Sequence, residues 1–332
     1  MTGTEGASAE MRSKSELEAA VRDPHRRRAV LMVNTRSRRG RRRLPVVRRL
    51  LAEAGLDFAR VVPVTDPAKL DALFAEVLAL KPDLVVVGGG DGTIAAAVSH
   101  LAHRDVALGV LPLGTTNNFA RTLELPMDTA RAVRVLLDGK VADVDVGWFA
   151  GTDDPDDPDG RGHIFANMVS LGLSVRVAEH VPHGLKRVLG RPAYALTAAR
   201  LLPGHRPFRA TVRIGDESFD LTTHQLNIAN GAHHSGQRIA RDAGPDDRLL
   251  AVYRLGDGRR LRLAAATVRH VLTGQWRSLG EEAFHTAGEV SVSTEPPLPV
   301  DVDGEIRGRT PVRIVLHGNA LKVFVPQSFV DV

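Results

Sequence analysis

Apolar and polar positions follow two textures along this chain, and the change between them falls near Gly139. Ala29-Val-Leu-Met-Val33 is a short apolar run that gives way to a polar loop, Asn34 to Gly40, as a buried strand does where it meets its loop. Leu44, Val47, Leu50 and Leu51 then recur at helical spacing; Pro45 fits only a first turn, and Gly55 closes the helix. Phe58 to Val64 reads as a strand, Ala68 to Leu80 as an amphipathic helix, and Asp83 to Val87 as a strand that is apolar throughout after its first residue. That strand enters Gly88-Gly-Gly-Asp-Gly-Thr93 and then a helix over Ile94 to Ala102. Val106 to Leu111 is a fourth strand, followed by Gly114-Thr-Thr-Asn117 and a short helix. Strict alternation of this kind predicts an α/β domain around a mostly parallel sheet.

Past Gly139 the pattern turns to β. Val141 to Val146, Thr211 to Ile214, Asp220 to Ala229, Leu249 to Leu255, Glu289 to Ser293, Val312 to Leu316 and Leu321 to Val325 are strand-like, many separated by Gly, Asp or Asn turns. Helical interruptions are expected at Ser174–Glu179, Ala193–Leu202 and Leu261–Leu272. Residues 1–28 are polar and aperiodic and read as a disordered lead-in. The expected organisation is therefore an α/β domain over 29–139 and a β-rich domain over 140–317, with the tail from about residue 318 packing back on the first domain.

Composition narrows the chemistry. The 332 residues contain no Cys, which removes disulfides, thiolate zinc sites and cysteine nucleophiles. Aromatics at 4% make a poor base-stacking platform, and no helix-turn-helix or zinc pattern accompanies the charge, so no nucleic-acid partner is expected. No apolar run reaches a membrane span and Met1 to Ser15 lacks an apolar signal core, so the expectation is a cytoplasmic protein whose membrane contact is peripheral. The net charge of +5 hides a cluster: twelve Arg lie between Arg22 and Arg49 against the single acid Asp23. This suits an anionic partner, and equally a solvated Arg-rich helix face. The acidic, Pro-broken loop Asp153 to Asp159 lacks calcium-loop spacing, and His233-His234 has no carboxylate at ligand spacing.

Three motifs carry candidate chemistry. In the first, Gly89, Gly90 and Gly92 allow a tight turn with exposed N–H donors before a helix N-terminus, a phosphate site, with Asp91 and Thr93 inside it. Asp91 could serve a metal or ribose hydroxyls, or simply cap the helix. In the second, Gly114, Thr115 and Asn117 repeat that design one strand later, and two such loops on neighbouring parallel strands face one crevice. The pair points to a nucleotide. In the third, Asp301, Asp303 and Glu305 would share a strand face unless Gly304 breaks the strand into a turn and aims Glu305 elsewhere; a carboxylate aimed at a cleft can accept a hydroxyl proton.

In order and spacing these motifs resemble the diacylglycerol kinase catalytic-domain family, which includes bacterial soluble lipid kinases and sphingosine kinases within an NAD kinase-like superfamily. The likeness runs from about Val30 to Pro326: Asn34-Thr-Arg-Ser-Arg-Arg-Gly40 for the opening loop, Gly89 to Thr93 and Pro112 to Arg121 for the nucleotide loops, Asn230-Gly231 with Gly236 and Asp247-Arg-Leu-Leu250 for a structural-magnesium segment, and Asp303-Gly-Glu305 for the closing motif. The resemblance implies a nucleotide-binding α/β domain, a β-sandwich-like lipid-substrate domain, and an active site in the cleft between them. It implies ATP on Asn34, Thr65 and the two Gly loops, Mg2+ organised by Asp91, a second metal role for Asp247, and Glu305 as proton acceptor for a lipid hydroxyl. It also gives the Arg22–Arg49 region a meaning as a contact for anionic phospholipid headgroups, and leaves a homodimer open. Asn118 stands where many members have Asp, Thr35 and Arg38 replace Pro and Gly of the opening loop, and Arg248 replaces a Gly. A catalytically impaired binding protein and an NAD kinase are the alternatives.

Overall fold

The structure is a computed structural model, described here over residues 12–23, 28–153, 157, 162–181, 196–197, 200–201, 204–231, 233–234, 237–238, 246–255 and 282–331. The helix expected over 261–272, most of that over 193–202, most of the Asp153–Asp159 loop and the His233-His234 side chains lie outside these residues.

The first half alternates as its pattern predicts. Its elements are α1 (Lys14–Arg22), β1 (Ala29–Asn34), α2 (Arg38–Glu53), β2 (Arg60–Val64), α3 (Leu70–Ala79), β3 (Leu84–Gly89), α4 (Asp91–Leu101), β4 (Ala107–Pro112), α5 (Asn118–Thr122) and α6 (Thr129–Asp138). Strands β2, β1, β3 and β4 lie side by side in that order, all parallel. Val30, Met32, Val85 and Val87 pack with Phe74 and Val98 on one face; Leu31, Val33, Val86 and Leu111 pack with Leu17, Val47 and Leu51 on the other. A sheet covered on both faces needs apolar residues at every strand position, which is why β3 and β4 are uniformly buried.

Three helices differ from expectation. Residues 14–22, expected to be disordered, form α1. Ser13 accepts from the Glu16 N–H while the Glu16 side chain accepts from Ser13, and Leu17 and Val21 are buried one turn apart. Two such side chains, each contributing about 1.5–3 kcal/mol, outweigh the polarity of the rest of this short segment. Helix α2 begins at Arg38, two turns before Leu44, so Pro45 is inside it. Pro45 is exposed, and so is Arg41, whose carbonyl goes without the N–H donor that proline lacks. Helix α6 was not anticipated beyond Gly139 closing the domain; Asp128 caps it through Ala130 and Arg131.

The second half contains β5 (Lys140–Thr152), β6 (His163–Phe165), β7 (Met168–Gly172), α7 (Leu173–His180), β8 (Phe208–Ile214), β9 (Glu217–Thr223), β10 (Gln225–Ala229), β11 (His233–His234), β12 (Gln237–Arg238), β13 (Leu250–Leu255), β14 (Glu282–Ala287), β15 (Glu289–Glu295), β16 (Pro299–Val302) and β17 (Glu305–Val325). One layer runs β14-β13-β10-β7-β16-β17; another runs β9-β8-β15 and returns to β17. Val169, Leu171, Leu226, Ile228 and Val300 of the first layer pack on Ala210, Val212, Val290 and Val292 of the second. The expected single strand over Asp220–Ala229 is two, β9 and β10, in different layers. The expected strands at 312–316 and 321–325 are one, β17, with a register shift between His317 and Leu321.

Strand β17 joins the halves. It starts beside β16, continues antiparallel to β5 along most of its length, and ends with Lys322 and Val323 parallel to β4. Two hydrogen-bonded ribbons, not a linker, connect the α/β half to the β-rich half, within one mixed sheet.

Candidate active site

The strand order β2-β1-β3-β4 reverses direction between β1 and β3, because the chain leaves β1 for one neighbour and later returns on its other side. At such a switch point the loops after the two central strands turn away from each other and leave a crevice at the carboxyl edge. The register sets all four loops at one level: Asn34 beside Val64, Val33 beside Gly88, and Gly89 beside Pro112. Asn34, Thr65, Gly89 to Thr93 and Gly114 to Asn117 therefore follow adjacent strand ends along one edge, and the structure brings this part of the expected site together.

Close hydrogen bonding fixes these loops. Asn34 Nδ2 donates to Thr93 Oγ1 at 2.8 Å, and its Oδ1 accepts from the Arg36 N–H at 3.1 Å. Gly90 precedes α4 and offers no side-chain cap; its carbonyl accepts from the Thr93 and Ile94 N–H groups, and no side chain caps the N–H groups of Asp91 and Gly92 at the start of this eleven-residue helix. A Cβ on Gly114 would lie 2.5 Å from Gly90 Cα, so only glycine lets these two backbones meet, and one on Gly89 would lie 2.6 Å from Thr93 Cβ, in the space the Thr93 side chain occupies. Asn117, left-handed at φ 51°, closes the second loop by accepting from the Gly114 N–H at 2.8 Å and donating to its carbonyl at 3.1 Å. Thr65, Gly92 and Thr115 are exposed at the rim.

Asp91 has a role that neither sequence reading gave it. It is the first residue of α4, yet its carboxylate reaches the other loop. One oxygen accepts from the Thr116 hydroxyl and from the Asn117 N–H at 3.0 Å, the other from the Asn118 N–H at 2.5 Å. Asp91 is thus the clasp between the two glycine loops. The Asn118 contact uses the main chain, so Asn in place of Asp there leaves it intact. Arg39, in the first turn of α2, donates to the Gly114 carbonyl at 2.8 Å and so reaches from the β1 loop to the β4 loop.

In the β-rich half, Gly304 does break the strand. Asp303 (φ 52°) and Gly304 (φ 97°) form a two-residue hairpin turn between β16 and β17. Asp303 accepts from the N–H groups of Ala166 at 2.6 Å, Asn167 at 2.9 Å and Met168 at 3.0 Å. Burial pushes its carboxyl above the ordinary carboxylate range, against the opposite pull of these donors. Glu305, just past the turn, is exposed and pairs with Arg307 at 2.7 Å. The hairpin connects to the α/β half in steps. Asn230 Nδ2 donates to the carbonyls of Asp145 (3.0 Å) and Ala166 (3.2 Å), and Gly231 lies against Thr122 of α5. Oδ1 of Asn167 and Oδ1 of Asn230, both buried, have no donor among the described residues.

Asp247 is placed differently. Its Oδ1 accepts from the Leu249 N–H at 2.9 Å, a turn within its own loop. Among the described residues, no three His, Asp or Glu side chains converge to hold a metal. Beside it, Arg248 is left-handed (φ 58°) and its N–H donates to the fully buried Asp145 at 2.8 Å. A left-handed residue is where glycine is most at ease, which gives the physical sense of the Gly that Arg248 replaces.

Comparison with known proteins decides the family. Residues 28–149 match the Diacylglycerol kinase catalytic domain, and residues 167–325 match the YegS C-terminal NAD kinase beta sandwich-like domain. A Staphylococcus haemolyticus protein named "Putative lipid kinase" is 30% identical over 245 residues, 73% of this chain and 76% of its own. The chain belongs to the diacylglycerol kinase catalytic domain family. A Staphylococcus carnosus relative of the same name is 28% identical over the same shares. In fold, the chain is similar to a diacylglycerol kinase from Bacillus anthracis (TM-score 0.73, 23% identity, 92% of this chain and 98% of that one). It is more distantly similar to yeast NADH kinase in complex with NADH (TM-score 0.52, 13% identity, 91% of this chain and 84% of that one). Membership makes the protein a phosphotransferase of the kinase type, with an N-terminal α/β part and a C-terminal β-sandwich part. Among the described residues, no helix is long and apolar enough to cross a membrane.

Proposed function

We propose that this family member is an ATP- and Mg2+-dependent lipid kinase that transfers the γ-phosphate of ATP to a hydroxyl of diacylglycerol or a similar lipid. The observation that carries the reading is the Asp91 clasp, which presets two glycine loops at the switch-point crevice. The uncapped N-terminus of α4 offers a triphosphate N–H donors and a positive dipole end, with Arg39 at the second loop. Asn34, Thr65 and Thr115 stand where ribose or phosphate oxygens would meet side-chain donors.

Mg2+ fits this set in a limited way. A carboxylate has about four acceptor positions, and three at Asp91 are filled by the second loop. Mg2+ commonly takes one or two carboxylates, substrate phosphates and waters, so Asp91 would hold it by its remaining position or through water. The bound ion would supply neutralisation of phosphate charge. Asp247 is left out of the reaction, since its carboxylate serves its own loop. Glu305 is the proton acceptor. Phosphoryl transfer has a loose transition state in which positioning outweighs base strength, so an exposed carboxylate on an anchored hairpin suffices.

The arginines of α2 and of the loop before it give the protein its approach to a bilayer. Arg36, Arg38, Arg42, Arg43 and Arg48 are exposed, with no acidic partner among the described residues. At about 1 kcal/mol for each cation near an anionic surface, several together hold a protein reversibly. Binding to anionic vesicles should weaken steeply with salt, and equal sedimentation with neutral vesicles would remove this part of the proposal. The catalytic part is tested by offering diacylglycerol, monoacylglycerol, ceramide, sphingosine, phosphatidylglycerol and NAD with MgATP. A phosphorylated lipid is the expected product. Phosphorylated NAD alone would transfer the site to dinucleotide chemistry, and tight ATP binding without any product would favour a binding protein.

A further inference from the structure

At the opposite edge of the α/β half lies a second basic site, formed by the segments that lead into the strands. A cavity of about 360 Å³ has Arg12, Arg28, Lys81, Arg104 and Asp105 around a floor that includes Pro82 and Val106. The four cations come from four places: ahead of α1, ahead of β1, between α3 and β3, and between α4 and β4. Two are neutralised. Arg12 pairs with Asp105 at 2.7 Å and with the buried Asp83 at 3.0 Å, and Arg28 faces Asp83 at 3.8 Å. The other two are not: Lys81 and Arg104 have no acidic partner among the described residues, and Arg104 Nε is held by the His100 carbonyl at 2.8 Å, leaving the end of its guanidinium fork available. Four cations against two acids leave a surplus of two positive charges at one concavity.

We propose that this cavity binds the phosphate dianion of a phosphate monoester, with Lys81 and Arg104 as the charge-matching residues. The volume suits a small ligand, and a guanidinium end beside an ammonium suits phosphate oxygens better than a single carboxylate. Arg12 and Arg28, already fixed by Asp83 and Asp105, form the rigid wall. The same chemistry is offered by a soluble organic phosphate and by the headgroup of a phosphorylated lipid. The site lies at the amino ends of β1, β3 and β4, so it is distinct from the glycine loops at their carboxyl ends. It does not depend on the kinase reading.

The test is titration of the full chain with inorganic phosphate and with glycerol 3-phosphate, in the presence of excess non-hydrolysable ATP analogue to occupy the glycine loops. A parallel arm compares vesicles containing phosphatidic acid with vesicles brought to equal surface charge by phosphatidylglycerol, so that the α2 arginines contribute alike to both and the difference reads the phosphate monoester. The wild type should bind saturably in at least one arm, and the arm identifies the source of the phosphate. The double variant Lys81→Ala/Arg104→Ala should weaken that binding roughly tenfold, as expected from losing two exposed ion pairs, while analogue binding and melting temperature stay unchanged. Lys81→Arg/Arg104→Lys should restore most of it. No saturable binding in either arm, or equal binding by the double variant, would overturn the proposal.

Discussion

Asp91 and Glu305 are the two carboxylates that the proposed reaction uses, and they are held in opposite ways. Asp91 accepts three hydrogen bonds from a loop some 25 residues away and welds two strand ends together. Glu305 is exposed, with a single ion pair to a neighbour two residues on. What is fixed in the β-rich half is not Glu305 but Asp303 beneath it, bonded to three N–H groups more than 130 residues distant in sequence. The glycine-loop edge is thus tied together by its own hydrogen bonds, whereas the closing hairpin is anchored at Asp303 and leaves Glu305 exposed. A preset site suits a ligand of constant shape such as a triphosphate. In the proposed reaction, an exposed carboxylate is open to an acceptor presented from a bilayer.

The sharpest way to break this contrast is to remove each acid in turn. Asp91→Ala should lower lipid phosphorylation by about a thousandfold or more, the scale of losing a preset charged group at a transferring phosphoryl. It should also lower the unfolding free energy by about 2 kcal/mol, because loop donors lose a charged acceptor. Activity assays beside denaturant unfolding would show the two effects together, and a variant with unaltered stability would mean that the clasp is unimportant. Glu305→Gln should cost about a hundredfold or more in kcat with no change in unfolding midpoint, since only an exposed pair is lost. Equal destabilisation by the two variants would erase the distinction.

Asp303 sharpens it from below. Asp303→Ala should destabilise by about 2 kcal/mol and lower kcat without changing nucleotide affinity, a result that equilibrium nucleotide binding can check. Its pH dependence has a definite sign. The folded-state affinity of Asp303 for its proton is raised above the unfolded value, so its stabilising contribution is complete below the ordinary carboxylate range and declines as pH climbs through the raised folded value. Asp303→Asn should abolish that decline, seen as a flatter melting temperature between acid and neutral pH than in the wild type. The smallest effect is expected at Arg248→Gly. Relief of the left-handed backbone, offset by added unfolded-state freedom, should stabilise by about 0.5 kcal/mol with activity unchanged. Destabilisation there would mean that the Arg248 side chain contributes packing.

The same contrast governs what could be read in advance. The glycine loops were legible because their chemistry is local: an apolar strand, glycines that permit close approach, and a helix start occupy consecutive residues. The strand alternation made the shared edge legible too. Asp91's reach to Thr116, Asn117 and Asn118 was not, because those partners lie 25 to 27 residues on, and local grammar offers a carboxylate at that position a metal, ribose hydroxyls or a cap but no second loop. The partners of Asp303 and the orphan oxygens of Asn167 and Asn230 depend on how β7, β10 and β16 register, which no local pattern encodes. Helix α1 carries a weak pattern because only Leu17 and Val21 mark its buried face, although Ser13 and Glu16 spell a capping box. The start of helix α2 is masked because Pro45 suits a first turn and the arginines before it have no apolar partner. Gly318-Asn319 looked like the end of one strand and became the irregularity within a longer one.

The most direct test is transfer of the γ-phosphate of ATP to diacylglycerol in mixed micelles by the wild type and Glu305→Gln, with nucleotide affinity measured on both proteins. The expected result is phosphorylated lipid from the wild type, a loss of about a hundredfold or more in the variant, and equal nucleotide binding. Undiminished transfer by Glu305→Gln would contradict the assignment of the proton acceptor. Absence of product from a wild type that binds MgATP would contradict the proposed reaction on this lipid.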